Sequence, residues 1–326
     1  MVDRVLLSGN CMARVSFIKD VLSEPGVLPL YLRHRYQEIV ELLYSKLVSD
    51  KVFLNRLFKR HFQREVDFSH PRTLNEKIQW LKINDRKDFH TVCADKYAVR
   101  KYIGDTFGQE YLVPLLFSTS DHRDLTPGNL PDCDCIIKAN NGCGGHTIVR
   151  DNNRDSLDFP RLREEFRHAL KTNYYYRTRE WQYKNIPPRI IIEKLLETRD
   201  GKIPNDYKFH YINGELQFIY VSYDREGVND RCIYDGDWNR LPFIWIGRES
   251  YRDSINRTDV PRPATLEKMK EFGAIVARNF KLVRVDFYDV DGVLYFGEIT
   301  LHHGSGRDHF FPEEYDVIFG DKLKLD

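Results

Sequence analysis

The stretch that most constrains this chain runs from Val283 to Gly306 and reads as VRVDFYDV, a DG dipeptide, VLYFGEIT and then LHHGSG. Asp291-Gly292 between two runs rich in β-formers is a hairpin signal, because a tight turn needs residues that tolerate positive φ. Side chains alternate along a strand, so the length of the turn decides which residues share a face. A two-residue turn at Asp291-Gly292 sets Asp286 and Glu298 on opposite faces. A three-residue loop, Val290-Asp291-Gly292 with the glycine left-handed, sets them on the same face, and this is the expected register. Its odd-numbered face is then apolar, with Val285, Phe287, Val293, Tyr295 and Ile299. Its even-numbered face gathers Arg284, Asp286, Glu298 and Thr300 at one end.

Two carboxylates and an arginine at the end of a rigid hairpin suit a hard divalent cation that holds phosphates, since Mg²⁺ takes few carboxylates and fills its shell with phosphate oxygens and water. The plainer reading of the same residues is a solvated strand face with one cross-strand ion pair.

Composition narrows the class. In 326 residues, 41% hydrophobic and 30% charged residues describe an ordinary globular chain, and 50 Lys+Arg against 49 Asp+Glu leave no net field that would select nucleic acid. The six cysteines lack paired or zinc-binding spacing. No secretory leader is recognisable at the start, and no apolar run approaches the 18 residues of a membrane span. A reducing cytoplasm is the expected compartment.

In chain order, residues 14–66 read as helices with apolar residues at three- and four-residue spacing. Basic residues outnumber acids over 33–64, which describes either a solvated face or a dock for an anionic polymer or for the inner face of an anionic membrane. Thr73 and Glu76 have capping-box spacing at the head of a further helix. CDCIIKANNGCGGHTIVRD reads as strand, glycine-rich turn, strand, and residues 156–185 return to helix before Pro187-Pro188. RIIIEKLLE is a strand, and Asn213-Gly214 turns a second hairpin. Arg225–Pro263 reads as an irregular surface region, and ATLEKMKEFGAIVARNF as the helix feeding the organising hairpin. Helices alternating with hairpins indicate α+β rather than a doubly wound parallel sheet.

Lys138 ends an apolar strand and is followed at once by Asn140–His146, whose glycines let backbone amides approach an anion. The loop is neither a P-loop nor a dinucleotide fingerprint, and taken alone it is equally a hairpin turn. Taken in order with Asp95-Lys96, Glu193-Lys194-Leu195-Leu196, Asp206-Tyr207-Lys208 and the organising hairpin, it resembles the ATP-grasp superfamily. PRTLNEKIQWLKINDR, ADKYAVRKY, IKANNGCGG and FGEITLHHGSG are together similar to the TupA-like ATP-grasp group of bacterial surface-polysaccharide loci, over roughly residues 60–322.

That resemblance implies an ATP-grasp fold: a lid subdomain over 131–192 above a larger antiparallel sheet in 193–326, with 67–130 completing the module and 1–66 an added helical region. It implies ATP and Mg²⁺ as cofactors. Lys96 and Lys138 fall on the phosphate lysines, and Asn141, Gly142, Gly144 and Gly145 on the phosphate loop. Glu193, Lys194 and Leu196 match the adenine hinge, and Asp206 the ribose carboxylate. Arg284 and Lys208 fall near the transferred phosphate, and Asp286 and Glu298 on the metal. The family commonly has asparagine two residues beyond the metal glutamate, where this chain has Thr300. Ser305 and Arg307 are candidates for an acid-substrate site. The implied function is a carboxylate–amine ligase that joins a hexuronic acid of a polysaccharide or its precursor to an amino acid or amine. A sugar kinase, a glycosyltransferase and a catalytically silent nucleotide-binding protein are the alternatives.

Overall fold

The computed structural model describes residues 27–227, 230–247 and 259–325. The helix expected over 14–22 and Cys11 lie outside the described residues. The chain begins with α1 (Val27–Leu47), α2 (Asp50–Phe62), α3 (Leu74–Asn84), α4 (Asp88–Ala94) and α5 (Val99–Thr106). The expected capping box is present at α3. The Thr73 hydroxyl accepts from the Glu76 amide at 3.2 Å while the Glu76 carboxylate accepts from the Thr73 amide at 3.0 Å, so the exposed first turn is satisfied from both sides.

Two antiparallel sheets follow. The smaller joins β1 (Leu115–Thr119), β4 (Ile190–Lys194), β2 (Cys135–Ala139) and β3 (His146–Val149) in that order. Strand alternation divides β2 and β4. Cys135, Ile137, Ile190 and Ile192 are fully buried against Leu162 and Phe166 of α6 (Phe159–Lys171), while Lys138 and Glu193 turn to the opposite face.

The larger sheet has the order β10–β9–β5–β6–β7, built from β5 (Asp206–Ile212), β6 (Glu215–Tyr223), β7 (Asp230–Tyr234), β9 (Leu282–Val290) and β10 (Val293–Thr300). One face is apolar over most of its area. Phe209, Val221, Val283, Val285 and Phe287 pack on Leu266, Met269, Phe272 and Val276 of α7 (Leu266–Ala277), which presents them at helical spacing. The other face is split along its length. At one end Ile212, Phe218, Ile233 and Leu282 form a second core with α3 and with α8 (Glu314–Lys322), and at the other end the same face carries Asp206, Lys208, Arg284 and Asp286. Apolar packing over one face and one end of the other therefore confines the polar patch to the remaining end.

The organising hairpin differs from the expected register in an instructive way. Val290 pairs with Val293, so the turn has two residues, Asp291 at φ 53° and Gly292 at φ 88°, rather than three. Continued without interruption, that register would separate Asp286 from Glu298. A β-bulge between Phe296 and Ile299 supplies the extra residue instead, so Ile299 pairs with Val285, Thr300 pairs with Arg284, and Glu298 returns to the Asp286 face. The apolar face is consequently Val285, Phe287, Leu294, Phe296 and Ile299. Val293 is half exposed, and Tyr295 stands opposite Tyr288 on the other face.

A second correction concerns Arg225–Pro263. This region contributes β7 and the short β8 (Ile244–Ile246), which pairs with β11 (His309–Phe311), and it buries Phe243 and Trp245 in the second core. The helix expected over 156–185 is limited to α6 and a single turn at Tyr175–Thr178.

The bulge explains Gly297. A Cβ there would lie 2.9 Å from the Asp286 carbonyl oxygen, closer than side chains approach. Gly297→Ala is expected to lower stability by about 1–3 kcal/mol, read from the urea midpoint at unchanged m-value. An unchanged midpoint would mean that the bulge accommodates a side chain.

Candidate active site

A cleft lies between the two sheets. The small sheet contributes Lys138, Gly144, Gly145, Glu193 and Lys194, the connection after it Leu196, and the large sheet Asp206, Asp286 and Glu298, with Lys96 entering from the α4–α5 link. These are residues singled out from the sequence, and the fold brings them to one opening from five separate stretches of chain. Arg100 also lines the cleft and was not anticipated. Its guanidinium holds Glu193 at 2.7 Å from one side while Lys138 holds it at 3.0 Å from the other.

The charge arrangement centres on Arg284. Its Nε donates to Asp286 Oδ1 at 2.6 Å, and its Nη2 donates both to Asp286 Oδ2 and to Glu298 Oε1, each at 2.6 Å. Lys208, directly across from Asp286 on β5, donates to Asp286 Oδ2 at 3.2 Å and also to Asp206. Lys96 stands 3.9 Å from Glu298, and the Thr300 hydroxyl donates to Glu298 at 3.1 Å. Burial pushes Asp286 up to about 6 against the pull of Arg284 and Lys208. Glu298 sits at the cleft mouth. Burial raises its carboxyl too, but Lys96 and Arg284 together hold it at about 2.

The two carboxylates share one guanidinium nitrogen and so converge on one point, which fits a divalent cation. Among the described residues no group of three or more His, Cys, Asp or Glu is placed to hold a metal by itself. A cation between Asp286 and Glu298 would take the rest of its shell from a ligand or water, as Mg²⁺ prefers.

The glycine loop has a pinned root and an exposed tip. Asn140 donates to Asp95 at 2.7 Å, and Asn141 donates to the Thr172 carbonyl at 3.0 Å at the end of α6. Lys96 donates to the Gly142 carbonyl at 2.6 Å. Asn141 and Gly142 thus anchor the loop, whereas Cys143–Gly145 are exposed, with Gly144 and Gly145 at φ near 70°. Successive amides in such a conformation form an anion-binding concavity.

A second cleft adjoins the first across the Arg284–Lys208 wall. It is lined also by Tyr220, Ser222, Arg231, Trp245 and Asp308. Ser305 and Arg307 are not brought to either opening. Ser305 is buried, at φ 56°, and its hydroxyl accepts from Lys82 at 2.7 Å. Burial lowers Lys82 to about 7, and Glu180, buried beside it, is raised by the same loss of solvent. Asn75, Gln79 and Lys82, spaced along α3, bind the Asp308, Gly306 and Ser305 carbonyls at 2.9, 2.8 and 2.8 Å. The clue to this clamp was available: α3 carries a polar stripe at helical spacing beside its apolar one, and a stripe of amides and lysine is easily taken for a solvated face.

A family model described as TupA-like ATPgrasp matches residues 76–324. The chain belongs to the TupA-like ATP-grasp family. No curated protein sequence matches it. Among solved structures, the TupA-like chain is similar to an L-amino acid ligase from Bacillus licheniformis at 14% identity and TM-score 0.42, covering 85% of this chain and 61% of that one. It is also similar to a D-alanine–D-alanine ligase from Helicobacter pylori, at 14% identity and TM-score 0.37, covering 66% and 53%. The ATP-grasp ligase PsnB, solved with a phosphomimetic variant of its minimal precursor, Mg and ADP, aligns at 11% identity and TM-score 0.39, covering 77% and 65%. The chain spans a little over half the length of the D-alanine–D-alanine ligases it matches. No helix among the described residues is long and apolar enough to cross a membrane.

Two outcomes follow from the site. Hydrogen exchange across Cys143–His146 should slow on adding a non-hydrolysable ATP analogue with Mg²⁺, while Asn140 and Asn141 stay protected throughout. Uniform protection without ligand would make the loop a static turn. The second concerns His210, His302 and His303, all buried, the first and last of them beside Arg284. Burial keeps His303 down at about 3 and the other two well below their ordinary range. Below about pH 6.5 the unfolded chain binds protons that the folded one refuses, so stability falls with acidity by up to about 1.4 kcal/mol per pH unit per histidine. His210→Phe should flatten the slope of melting temperature between pH 6.5 and 4, and an unaltered slope would refute the assignment.

Proposed function

We propose that this chain is an ATP- and Mg²⁺-dependent carboxylate–amine ligase, joining a hexuronic acid of a surface polysaccharide or its precursor to an amino acid or amine. One observation carries the reading: Asp286 lines the first cleft while Arg284 and Lys208, both bonded to it, line the second, so a nucleotide in the first would direct its terminal phosphate toward a molecule in the second. Lys96, Lys138 and the Gly144-Gly145 amides would hold phosphate, Glu193–Leu196 and Asp206 would hold the nucleoside, and Asp286 and Glu298 would hold the metal. Bound there with the phosphates, Mg²⁺ supplies charge neutralisation.

The second cleft suits an acidic sugar. Arg231 and Arg284 offer planar forks for a carboxylate, and Trp245 and Tyr220 offer flat faces for a sugar ring. Arg284 is the residue common to acid and phosphate, and it offsets charge on both as they approach. In the first step a carboxylate oxygen attacks the γ-phosphorus, the bond to the β-phosphate oxygen breaks and ADP leaves. In the second, the amine nitrogen attacks the acyl carbon, the bond to the phosphate oxygen breaks, and the amine's surplus proton passes to solvent. The protein positions reactants and neutralises charge, and no covalent nucleophile from the chain is required.

The test is incubation with ATP, Mg²⁺, a panel of hexuronic acids and a panel of amino acids, with nucleotides and sugar masses as the readout. ADP formation that depends on a uronic acid, with an amide formed only when amine is present, is expected. AMP, or phosphate left on a sugar hydroxyl, would overturn the ligase reading, the latter in favour of a kinase. Asp286→Asn and Glu298→Gln should each reduce ADP formation at least about 100-fold, and Asp286→Asn, which leaves buried Arg284 and Lys208 uncompensated, should also melt lower than the wild type. Wild-type turnover in either variant would remove the metal assignment.

A further inference from the structure

Among the described residues, helix α1 is partnered on one side. Its inward side chains reach α6: His34 binds Glu164 at 2.9 Å and stacks on His168, and Glu38 accepts from Arg167 at 3.1 Å. Its outward side is apolar. Leu32, Tyr36, Ile39, Leu43 and Leu47 are all more than half exposed, at 58, 71, 51, 53 and 79%. At about 100° per residue, their spacing of four, three, four and four places them within a strip about 80° wide and about 22 Å long. Soluble chains seldom leave a continuous apolar strip of this kind uncovered.

The charges beside the strip identify what covers it. Arg33 and Arg35 are exposed and lie on opposite sides of it by the same helical arithmetic, and α2 adds exposed Lys51 and Val52 just beyond its end. Among the described side chains of this face none is acidic. Glu38 and Asp50, the described carboxylates beside it in the chain, are both engaged, Glu38 by Arg167 and Arg35 and Asp50 by Arg86 and Arg179. Two copies of the face laid together would bring Arg33 and Lys51 against their counterparts with no described carboxylate free to offset them, since Glu38 is already shared by Arg35 and Arg167. A plane with an apolar interior and an anionic surface meets both features at once: the strip enters the acyl boundary and the rims meet headgroup phosphates.

We infer that the outward face of α1 docks on an anionic lipid surface, with Leu32, Tyr36, Ile39, Leu43 and Leu47 inserted and Arg33 and Arg35 at the headgroups. The inference is independent of the ligase reading, because none of these residues lines either cleft.

The experiment is co-sedimentation of the full chain with vesicles of phosphatidylglycerol and phosphatidylcholine, and with phosphatidylcholine alone. Binding to the anionic vesicles only, weakened by added salt, is expected. Arg33→Glu with Arg35→Glu, and separately Ile39→Asp with Leu43→Asp, should each reduce the bound fraction at least tenfold. Both variants should keep the wild-type ATP consumption, which separates failure of this inference from failure of the ligase reading, and only the arginine variant, which loses the Arg35–Glu38 pair, should melt slightly lower. Absence of binding by the wild type, equal binding to neutral vesicles, or binding indifferent to both variants would overturn it. A dimer in light scattering that Ile39→Asp with Leu43→Asp dissociates would reassign the face to a second copy of the chain.

Discussion

The structure depends on the buried contact of Arg284 with two carboxylates. Asp286 is almost inaccessible and could not remain charged there without the bidentate guanidinium and Lys208, because removing one member of such a group strands an uncompensated charge. The large sheet, the bulge and the second core all serve to keep these groups on one face while apolar side chains occupy the rest. Cations and carboxylates here are nearly balanced, so an incoming polyanion with its metal can exchange partners within the cluster. Lys138 is similarly held by Glu193, whose other oxygen is taken by Arg100, so the cleft's cations are positioned by carboxylates rather than left to water.

The α+β class and the antiparallel sheets were legible because turn dipeptides, alternation and caps act over a few residues. Asn213-Gly214 and Thr73–Glu76 behave as local chemistry demands. The organising hairpin shows where such reading stops. Its turn is the two-residue form that Asp291-Gly292 favours, while the face shared by Asp286 and Glu298 is restored farther along by the bulge at Gly297-Glu298. A conclusion about the shared face was right although its stated cause was not. The signal for the true cause was a glycine inside a strand, which marks a close backbone approach.

Residues acting through long-range packing left less trace. Trp245 and Phe243 lie in a segment whose polar composition resembles surface loop, and only pairing of β8 with β11 draws them into the core. Ser305 and Arg307 follow the metal glutamate closely in sequence and seemed suited to an acid site. Left-handed backbone at Gly304 and Ser305 turns the chain so that Lys82 receives Ser305 from behind. The second cleft could not be read for the same reason, since its walls come from β5, β6, β7, β8, β9 and the loop at Gly304.

The contacts of His34 and Glu38 with α6 tie α1 to the layer beneath the small sheet, not to the five-stranded one. A surface gripping the outward side of α1 would therefore fix the glycine loop's half of the cleft in the laboratory frame. The half bearing Asp286 and Glu298 would then be the part left to swing.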